Sequence, residues 1–409
     1  MTDISPTTTS PLGLAPEGLD GLASKLEVRF SADFTSRWSD LEFEELALHA
    51  FNVQFQHNPV YRRFCEGKNA VPTSVTSWQQ VPMVPTTAFR YLDLVTGDHS
   101  SVRMVFRTSG TTSTTLSPGR HLVSRPSLYH ASLLSNFREH LLPDAEKIKF
   151  ISLIPSPAEM PHSSLSYMVG VAADTMSSEV QWFVDGEGVL NSTGLIKTLN
   201  DAALAGEEVL LLGTAFAFVH WLDELAGREL RRLPPGSRIM ETGGFKARAR
   251  DITKEQLYKS LSMTVGLETN RIVNEYGMTE LLSQLYESHL TQPNELQEGH
   301  APPPWLRVRA LNPTTLEPVA ENETGILAFF DLANLGSVCH VLTEDIGQVI
   351  DGRIHLEGRF PGAEPRGCSR AMDELMTSSQ VTRRCPKTSS MLGRSQVPSW
   401  FRVRLLILP

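Results

Sequence analysis

The stretch RTSGTTSTT, residues 107–115, surrounds one glycine with hydroxyl side chains and contains no lysine. Ser, Thr and Gly are ordinary loop residues, so a solvated turn is one reading. The other is a phosphate cradle, in which Gly110 lets the backbone approach an anion while amide N–H groups and hydroxyls donate to it. The rest of the chain decides between them, because a cradle of this kind sits beyond the strand ends of an α/β sheet, beside other ligand-facing loops.

The flanking sequence supplies such a sheet. FEELALHAFNVQF (residues 43–55) spaces its apolar residues as one face of a helix. RPSLYHASLLSNFREHLLPD reads as a second helix, with Pro126 near its start and Pro143 ending it. Short apolar runs then recur: KIKFISLIP, VQWFVD, EVLLLGTAF, SRIMETGG and NRIVNEYG, with the helical patterns GLIKTLNDAALAG and KEQLYKSLSM between several of them. That alternation predicts an α/β core with mainly parallel central strands. After about residue 300 the pattern turns to extended runs, and GQVIDGRIHLEG reads as a hairpin whose Asp351-Gly352 pair suits a type I′ turn.

Composition narrows the function. The 409 residues are 41% apolar and 20% charged with a formal charge of −9, ordinary for a globular protein and against a nucleic-acid surface. VLLLGTAFAFV, the most apolar segment, is far shorter than the roughly 20 residues of a membrane-spanning helix. The N-terminus lacks the basic flank and apolar core of a secretory signal and reads as a flexible lead over residues 1–30. Cys65, Cys339, Cys368 and Cys385 show no CxxC pairing, which fits a reducing compartment. A cytoplasmic enzyme is the expectation. From residue 376 to 409 there is no Asp or Glu, while Arg383, Arg384, Lys387, Arg394, Arg402 and Arg404 make a basic tail unlike the preceding chain.

Two further segments carry chemistry. ETGGFKARAR (241–250) ends a strand with Gly243 and Gly244, then offers Lys246, Arg248 and Arg250 to an anion. NEYGMTELLSQ (274–284) sets Tyr276, Gly277, Thr279 and Glu280 within five residues, an aromatic for a base, a hydroxyl for a phosphate and a carboxylate for Mg²⁺. His130, His162 and His220 have no partner spacing for a triad or a metal site and are assigned to packing or pocket walls, with His162, Ser163, Ser164 and Tyr167 as candidate lining of an acyl pocket.

SGTT, GG, YGMTE, TED and the arginine of GR, in that order, resemble the motif set of adenylate-forming enzymes. VPMVPTTAFR, GRH after the loop, PSPAEMPHSSLSYMVG, LLGTAFAFV, ETGGFKAR, NEYGMTELLSQ and EPRGCSRAMDEL narrow the resemblance to LuxE-type acyl-protein synthetases, with phenylacetate-CoA ligases as the next relatives, over roughly residues 40–375. The resemblance implies an adenylate-forming large N-terminal domain over 31–355 with a β-rich subdomain near 300–355, a hinge and acceptor-cysteine segment at 356–375, and an unmatched tail. It implies ATP and Mg²⁺, with a carboxylic acid of the fatty-acid class activated as acyl-AMP and the acyl group passed to Cys368. An acyl-accepting reductase or other protein is the implied partner.

Residue by residue, the resemblance implies that Ser109, Gly110, Thr111 and Thr112 orient the β- and γ-phosphates, and that Gly243 and Gly244 lie beside the adenine. Tyr276 and Thr279, flanking Gly277, reach adenine and α-phosphate, Glu280 holds the metal, Asp345 accepts the ribose hydroxyls, and Arg359 stands near the hinge. Lys246 and Arg248 steer the substrate carboxylate. Cys368 lies between Arg366 and Arg370, which favour the thiolate; Cys65 and Cys339 read as small apolar fillers. Two departures from the pattern keep other readings open. Ser113 stands where the family loop has a second glycine, which motivates a noncatalytic nucleotide- or acyl-binding module. The catalytic lysine of the CoA ligases has no equivalent after Arg359, which sets an acyl- or aryl-CoA ligase behind the acyl-protein synthetase.

Overall fold

The computed structural model describes residues 18–32, 34, 38–108, 118–225, 227–228, 230–243, 252–291, 298–360 and 375. The first part of the chain carries α1 (Leu19–Ser31), α2 (Asp40–His57), α3 (Pro59–Gly67), β1 (Val84–Pro85), β2 (Met104–Arg107), β3 (Arg120–Val123) and α4 (Pro126–Leu141). Next come β4 (Ile148–Ser152), α5 (Ser164–Met176), β5 (Ser177–Trp182), α6 (Ser192–Ala205), β6 (Val209–Thr214), α7 (Ala215–Leu225), β7 (Arg238–Thr242), α8 (Lys254–Val265) and β8 (Ile272–Tyr276). The remaining strands are β9 (Leu285–Tyr286), β10 (Leu306–Leu311), β11 (Gly325–Asp331), β12 (His340–Ile350) and β13 (Arg353–Arg359).

The apolar runs form one sheet in the order β5-β4-β6-β7-β8-β9, parallel except for β9 at its edge. Its central strands are apolar without alternation because helices cover both faces. Leu210, Leu212, Met240 and Val273 point into one core with Phe137 of α4 and Val169 of α5. The intervening Val209, Leu211, Ile239 and Ile272 point into a second core with Leu199, Trp221 and Leu261 of α6, α7 and α8. Side chains alternate across a strand, so each run feeds two cores at once. The chain leaves β4 toward β5 on one side and leaves β6 toward β7 on the other, which makes a topological switch point and opens a crevice beyond the strand ends.

Local signals set the helices. Pro126 occupies the first turn of α4, where its missing N–H costs nothing. Thr253 and Gln256 form a capping box at the start of α8, and Gly266 ends that helix in the left-handed conformation. Segment 209–219 is divided between β6 and α7, which begins directly at Ala215. The lead expected to be flexible is corrected over its second half. Residues 19–31 form α1, whose Leu22, Ala23, Leu26 and Phe30 are buried against the main core. The i, i+4, i+8 spacing of Leu22, Leu26 and Phe30 drives this: burying three large apolar side chains outweighs the helix's exposed polar face.

A second sheet runs β1-β12-β11-β10, with β13 on β12. The β12–β13 hairpin turns at Asp351 and Gly352, with φ of 50° and 76°, as a type I′ turn requires. Its register sets Asp345 opposite Arg359. A β-bulge between Ile346 and Gly347 adjusts the strand just before that pair, and a Cβ on Gly347 would come within 2.4 Å of the His355 carbonyl oxygen. A separate two-stranded ribbon pairs β2 with β3 antiparallel, Met104 opposite Val123 and Arg107 opposite Arg120.

Candidate active site

β7 and β8 end side by side, with Thr242 paired to Glu275. The Thr242 hydroxyl donates to the Glu275 carboxylate beneath the strand ends. Gly243 follows at φ 95°, a conformation that favours glycine, and leaves open space where a side chain would stand. From β8 the chain runs through Tyr276, Gly277, Thr279 and Glu280. The Tyr276 ring stacks on Phe329 of β11 at 5.7 Å between centroids. Its hydroxyl donates to Asp345 Oδ2 at 2.9 Å, and Arg359 Nε donates to Asp345 Oδ1 at 3.0 Å. Burial pushes the Tyr276 hydroxyl pKa up, and neighbouring Asp345 adds to the effect. Burial would lower Arg359, but Asp345 outweighs it and holds the guanidinium charged. Each Asp345 oxygen still has a lone pair to spare after these bonds, so the carboxylate retains capacity for two ligand hydroxyls.

Glu280 sits within the field of Arg359 and Arg90, yet burial raises its carboxyl to about 7. Its backbone is held firmly. Asn334 Nδ2 donates to the Glu280 carbonyl at 2.8 Å, and Asn334 Oδ1 accepts from Leu282 N at 3.0 Å. Asp331 accepts from Leu282 N, Ser283 N, the Ser283 hydroxyl and Ala333 N at 2.7–3.1 Å. On the other side, Asn136 of α4 donates to the Gln284 carbonyl at 2.6 Å, and the Trp305 indole donates to Ser132 and Ser283. Among the described residues no three His, Cys, Asp or Glu side chains converge to hold a metal ion. Glu280 contributes one carboxylate here, the kind of hard oxygen donor that a magnesium ion also bound by phosphate oxygens and water would take.

The ribbon that carries the hydroxyl-rich loop meets this segment directly. Thr108 N donates to the Gly119 carbonyl at 3.0 Å, and Gly119 N donates to Thr108 Oγ1 at 2.8 Å, closing the base of the loop. Two residues later, His121 Nδ1 lies 2.7 Å from the Thr279 carbonyl oxygen. Ser109, Gly110, Thr111 and Thr112 lie outside the described residues, as do Gly244, Lys246, Arg248 and Cys368. Gly243, Tyr276, Gly277, Thr279, Glu280, Asp345 and Arg359 are brought together at the ends of β7, β8 and β12–β13.

The remaining candidates fall elsewhere. His130 Nε2 bonds the Tyr167 hydroxyl at 2.7 Å, within an aromatic group that includes Phe106 and Tyr129. His162 Nδ1 bonds the Val105 carbonyl at 3.0 Å, and its own carbonyl accepts from Arg107 N, so it braces β2 from the edge opposite β3. His220 is corrected: it lies on the exposed face of α7, paired with Glu224 at 3.2 Å, because the apolar stripe of that helix runs through Phe218, Trp221 and Leu225. Cys65 and Cys339 are buried, and burial pushes the Cys65 thiol up to about 12.

Sequence reasoning missed His121, Asp331 and Asn334. It also missed a buried cluster behind the strand ends. The Tyr258 hydroxyl donates to Glu241 at 3.0 Å, Asn274 bridges Glu241 to His300, and Lys254 pairs with Glu287 at 2.6 Å. Burial alone would raise Glu287, but bonds from His289 and Lys254 bring it to about 2. Glu241 and Glu275, more weakly compensated, are raised by burial to about 7. A raised carboxyl binds its proton more tightly folded than unfolded, so Glu275 costs stability as pH climbs from its ordinary value of 4.5 through 7. Glu275→Gln is expected to gain on the native chain across that interval, by up to about 3 kcal/mol above pH 7 and nothing below pH 4, as read by urea unfolding at several pH values.

The family model of the acyl-protein synthetase LuxE matches residues 30–377. A long-chain-fatty-acid–luciferin-component ligase of Aliivibrio fischeri is 24% identical over 350 residues, covering 81% of this chain and 88% of the relative. The corresponding ligase of Vibrio harveyi is 24% identical over 366 residues, covering 84% and 91%. Among solved structures, an open conformation of 2-hydroxyisobutyryl-CoA ligase, in complex with 2-HIB-AMP and CoA, superposes with a TM-score of 0.60 at 14% identity, over 79% of this chain and 71% of that one. The fold is that of the adenylate-forming ligases, and no helix among the described residues is long and apolar enough to cross a membrane. With its match running through nearly the whole α/β core and the β12–β13 hairpin, the chain belongs to the LuxE family of acyl-protein synthetases and is a ligase.

Proposed function

We propose that the chain activates a long-chain fatty acid with ATP and loads the acyl group onto Cys368. The observation that carries the reading is the His121–Thr279 bond, which ties the stem of the hydroxyl-rich loop to the segment bearing Thr279 and Glu280, beside Tyr276, Asp345 and Arg359. In the first step a carboxylate oxygen of the acid attacks the α-phosphorus, the bond to the β-phosphate oxygen breaks, and pyrophosphate leaves. In the second, the Cys368 thiolate attacks the acyl carbon, the bond to AMP breaks, and a thioester forms while the thiol proton passes to solvent.

The roles follow from chemistry at each position. Ser109, Gly110, Thr111 and Thr112 donate to the β- and γ-phosphates, and Thr279 to the α-phosphate. Gly243 and Gly244 let the backbone approach the adenine, which Tyr276 flanks. Asp345 accepts the ribose hydroxyls, with Arg359 fixing its orientation. Glu280 would hold magnesium, which when bound would offset charge on the phosphates. Lys246 steers the carboxylate, and residues 356–375 carry the acceptor thiol beyond the 31–355 core. The names of the Aliivibrio and Vibrio relatives support the acid class. A cytoplasmic enzyme that hands its acyl group to a reductase or another protein completes the proposal.

Magnesium-dependent ATP–pyrophosphate exchange, screened over short, long and aromatic acids, tests it. Exchange is expected with long-chain acids. Cys368→Ala should spare exchange and abolish the hydroxylamine-sensitive acyl-enzyme. Acyl-CoA formed in place of acyl-enzyme would move the reading to a CoA ligase, and nucleotide binding without exchange would leave a binding module.

A further inference from the structure

We propose that Arg90 is a phosphate-binding residue of this site, its guanidinium taking the phosphates that leave as pyrophosphate. The proposal rests on the nucleotide reading given above, and the two fail in different ways.

Three observations carry it. Arg90 ends a short 3₁₀ turn, Thr86–Arg90, that is fixed on both sides. β1, just before it, pairs with β12 at Val341 and Leu342, and its own Ala88 and Phe89 are buried, with Phe89 edge-on to His121 at 5.3 Å. The Arg90 stem then runs along Gly119, where its Cγ lies 3.5 Å from the position a Cβ would take, and its charge reaches the Glu280 carboxyl. Arg120 and Arg359 are occupied, by Asp93 at 2.7 Å and by Asp345 at 3.0 Å, whereas Arg90 has no hydrogen-bond or ion-pair partner among the described residues. A half-buried guanidinium beside a carboxyl that it does not bond is suited to an anion that comes between them, and phosphate oxygens match its forked donors. Tyr276 and Asp345 approach from β8 and β12 and are assigned the nucleoside, and Thr279 the α-phosphate. Arg90 approaches from the β3 side, so the terminal phosphates fall to it.

The test measures, by calorimetry on the full chain, the affinities for MgATP, magnesium pyrophosphate and adenosine, alongside urea unfolding. Arg90→Gln is expected to weaken MgATP and pyrophosphate each about tenfold, with adenosine held within about twofold. The unfolding midpoint should not move, because the side chain has no partner among the described residues to lose. Arg90→Lys keeps the charge without the fork and is expected to recover part of both affinities. Should the glutamine variant not fold, Arg90→Met, which keeps the stem along Gly119, is expected to show the same selective loss. Unchanged pyrophosphate affinity, adenosine falling in step with it, or a lysine variant no better than glutamine would overturn the proposal. A native chain that binds all three ligands but gives no pyrophosphate exchange overturns acid activation, while the glutamine comparison still decides Arg90. A native chain that binds adenosine but not pyrophosphate overturns the Arg90 proposal alone, and one that binds none of the three overturns both.

Discussion

Asp331→Ala is expected to destabilise the chain by about 3–5 kcal/mol and to remove its nucleotide-dependent activity. The carboxylate is fully buried and accepts from three backbone N–H groups and one hydroxyl. Alanine leaves the Ser283 and Ala333 N–H groups without this acceptor in a place water does not reach, while Leu282 N keeps only Asn334 Oδ1, and each orphaned donor carries a desolvation cost of about 1–3 kcal/mol. Three of the four donors belong to Leu282 and Ser283, two and three residues after Glu280, so the same change loosens the segment that carries Thr279 and Glu280. Asp331→Asn, which keeps one acceptor oxygen, is expected to lose less. Burial raises Asp331 to about 6, so ionising it costs the fold as pH passes from 3.8 through 6. The penalty for alanine should therefore be larger at pH 4, near the start of that interval, where the native carboxyl is neutral, than at pH 8. Urea unfolding of the three chains at both pH values measures it.

Glu280→Gln separates function from stability in the opposite sense. Pyrophosphate exchange is expected to fall by about 10²–10³, because the substitution keeps the shape and removes the charge proposed to meet the metal. The fold should not suffer. The Glu280 backbone is held through Asn334 and the neighbouring Leu282, and neither bond uses the Glu280 side chain. Burial disfavours its ionised form, so glutamine is tolerated or mildly stabilising near neutral pH. Exchange kinetics and an unfolding midpoint on the same preparation give both answers. Undiminished exchange would remove Glu280 from the metal site.

Much of this architecture was legible because its signals are local. Val209–Thr214 and Arg238–Thr242 are strands covered on both faces, and unbroken apolarity over five or six residues is their signature. Asp351-Gly352 announces its turn by the two residues that tolerate positive φ. Tyr276, Thr279 and Glu280 were found together because one strand end carries them within five residues. α1 was also legible, since Leu22, Leu26 and Phe30 keep helical spacing, but the Pro- and Thr-rich residues before it masked the pattern. What could not be read is the set of contacts that join distant segments. His121 meets Thr279 across 158 residues, and Asp331 meets Leu282 across 49. A lone histidine in a strand and an aspartate before LANLG have no periodicity, and only the folded chain gives them partners. The two-residue β1, paired in parallel with β12, is similarly silent in sequence.

The β12–β13 hairpin links a turn to a candidate binding residue, Asp345, at some distance from it. Asp345 and Arg359 face one another only because six positions away the chain reverses on Asp351 and Gly352 and a bulge at Gly347 absorbs one residue. A one-residue slip would carry Asp345 to the opposite face of the sheet, away from Tyr276. The proposed ribose contact would thus be encoded partly in the backbone freedom of a glycine at a solvent-exposed bend, and a bulky residue at 352 would displace Asp345 without standing near it.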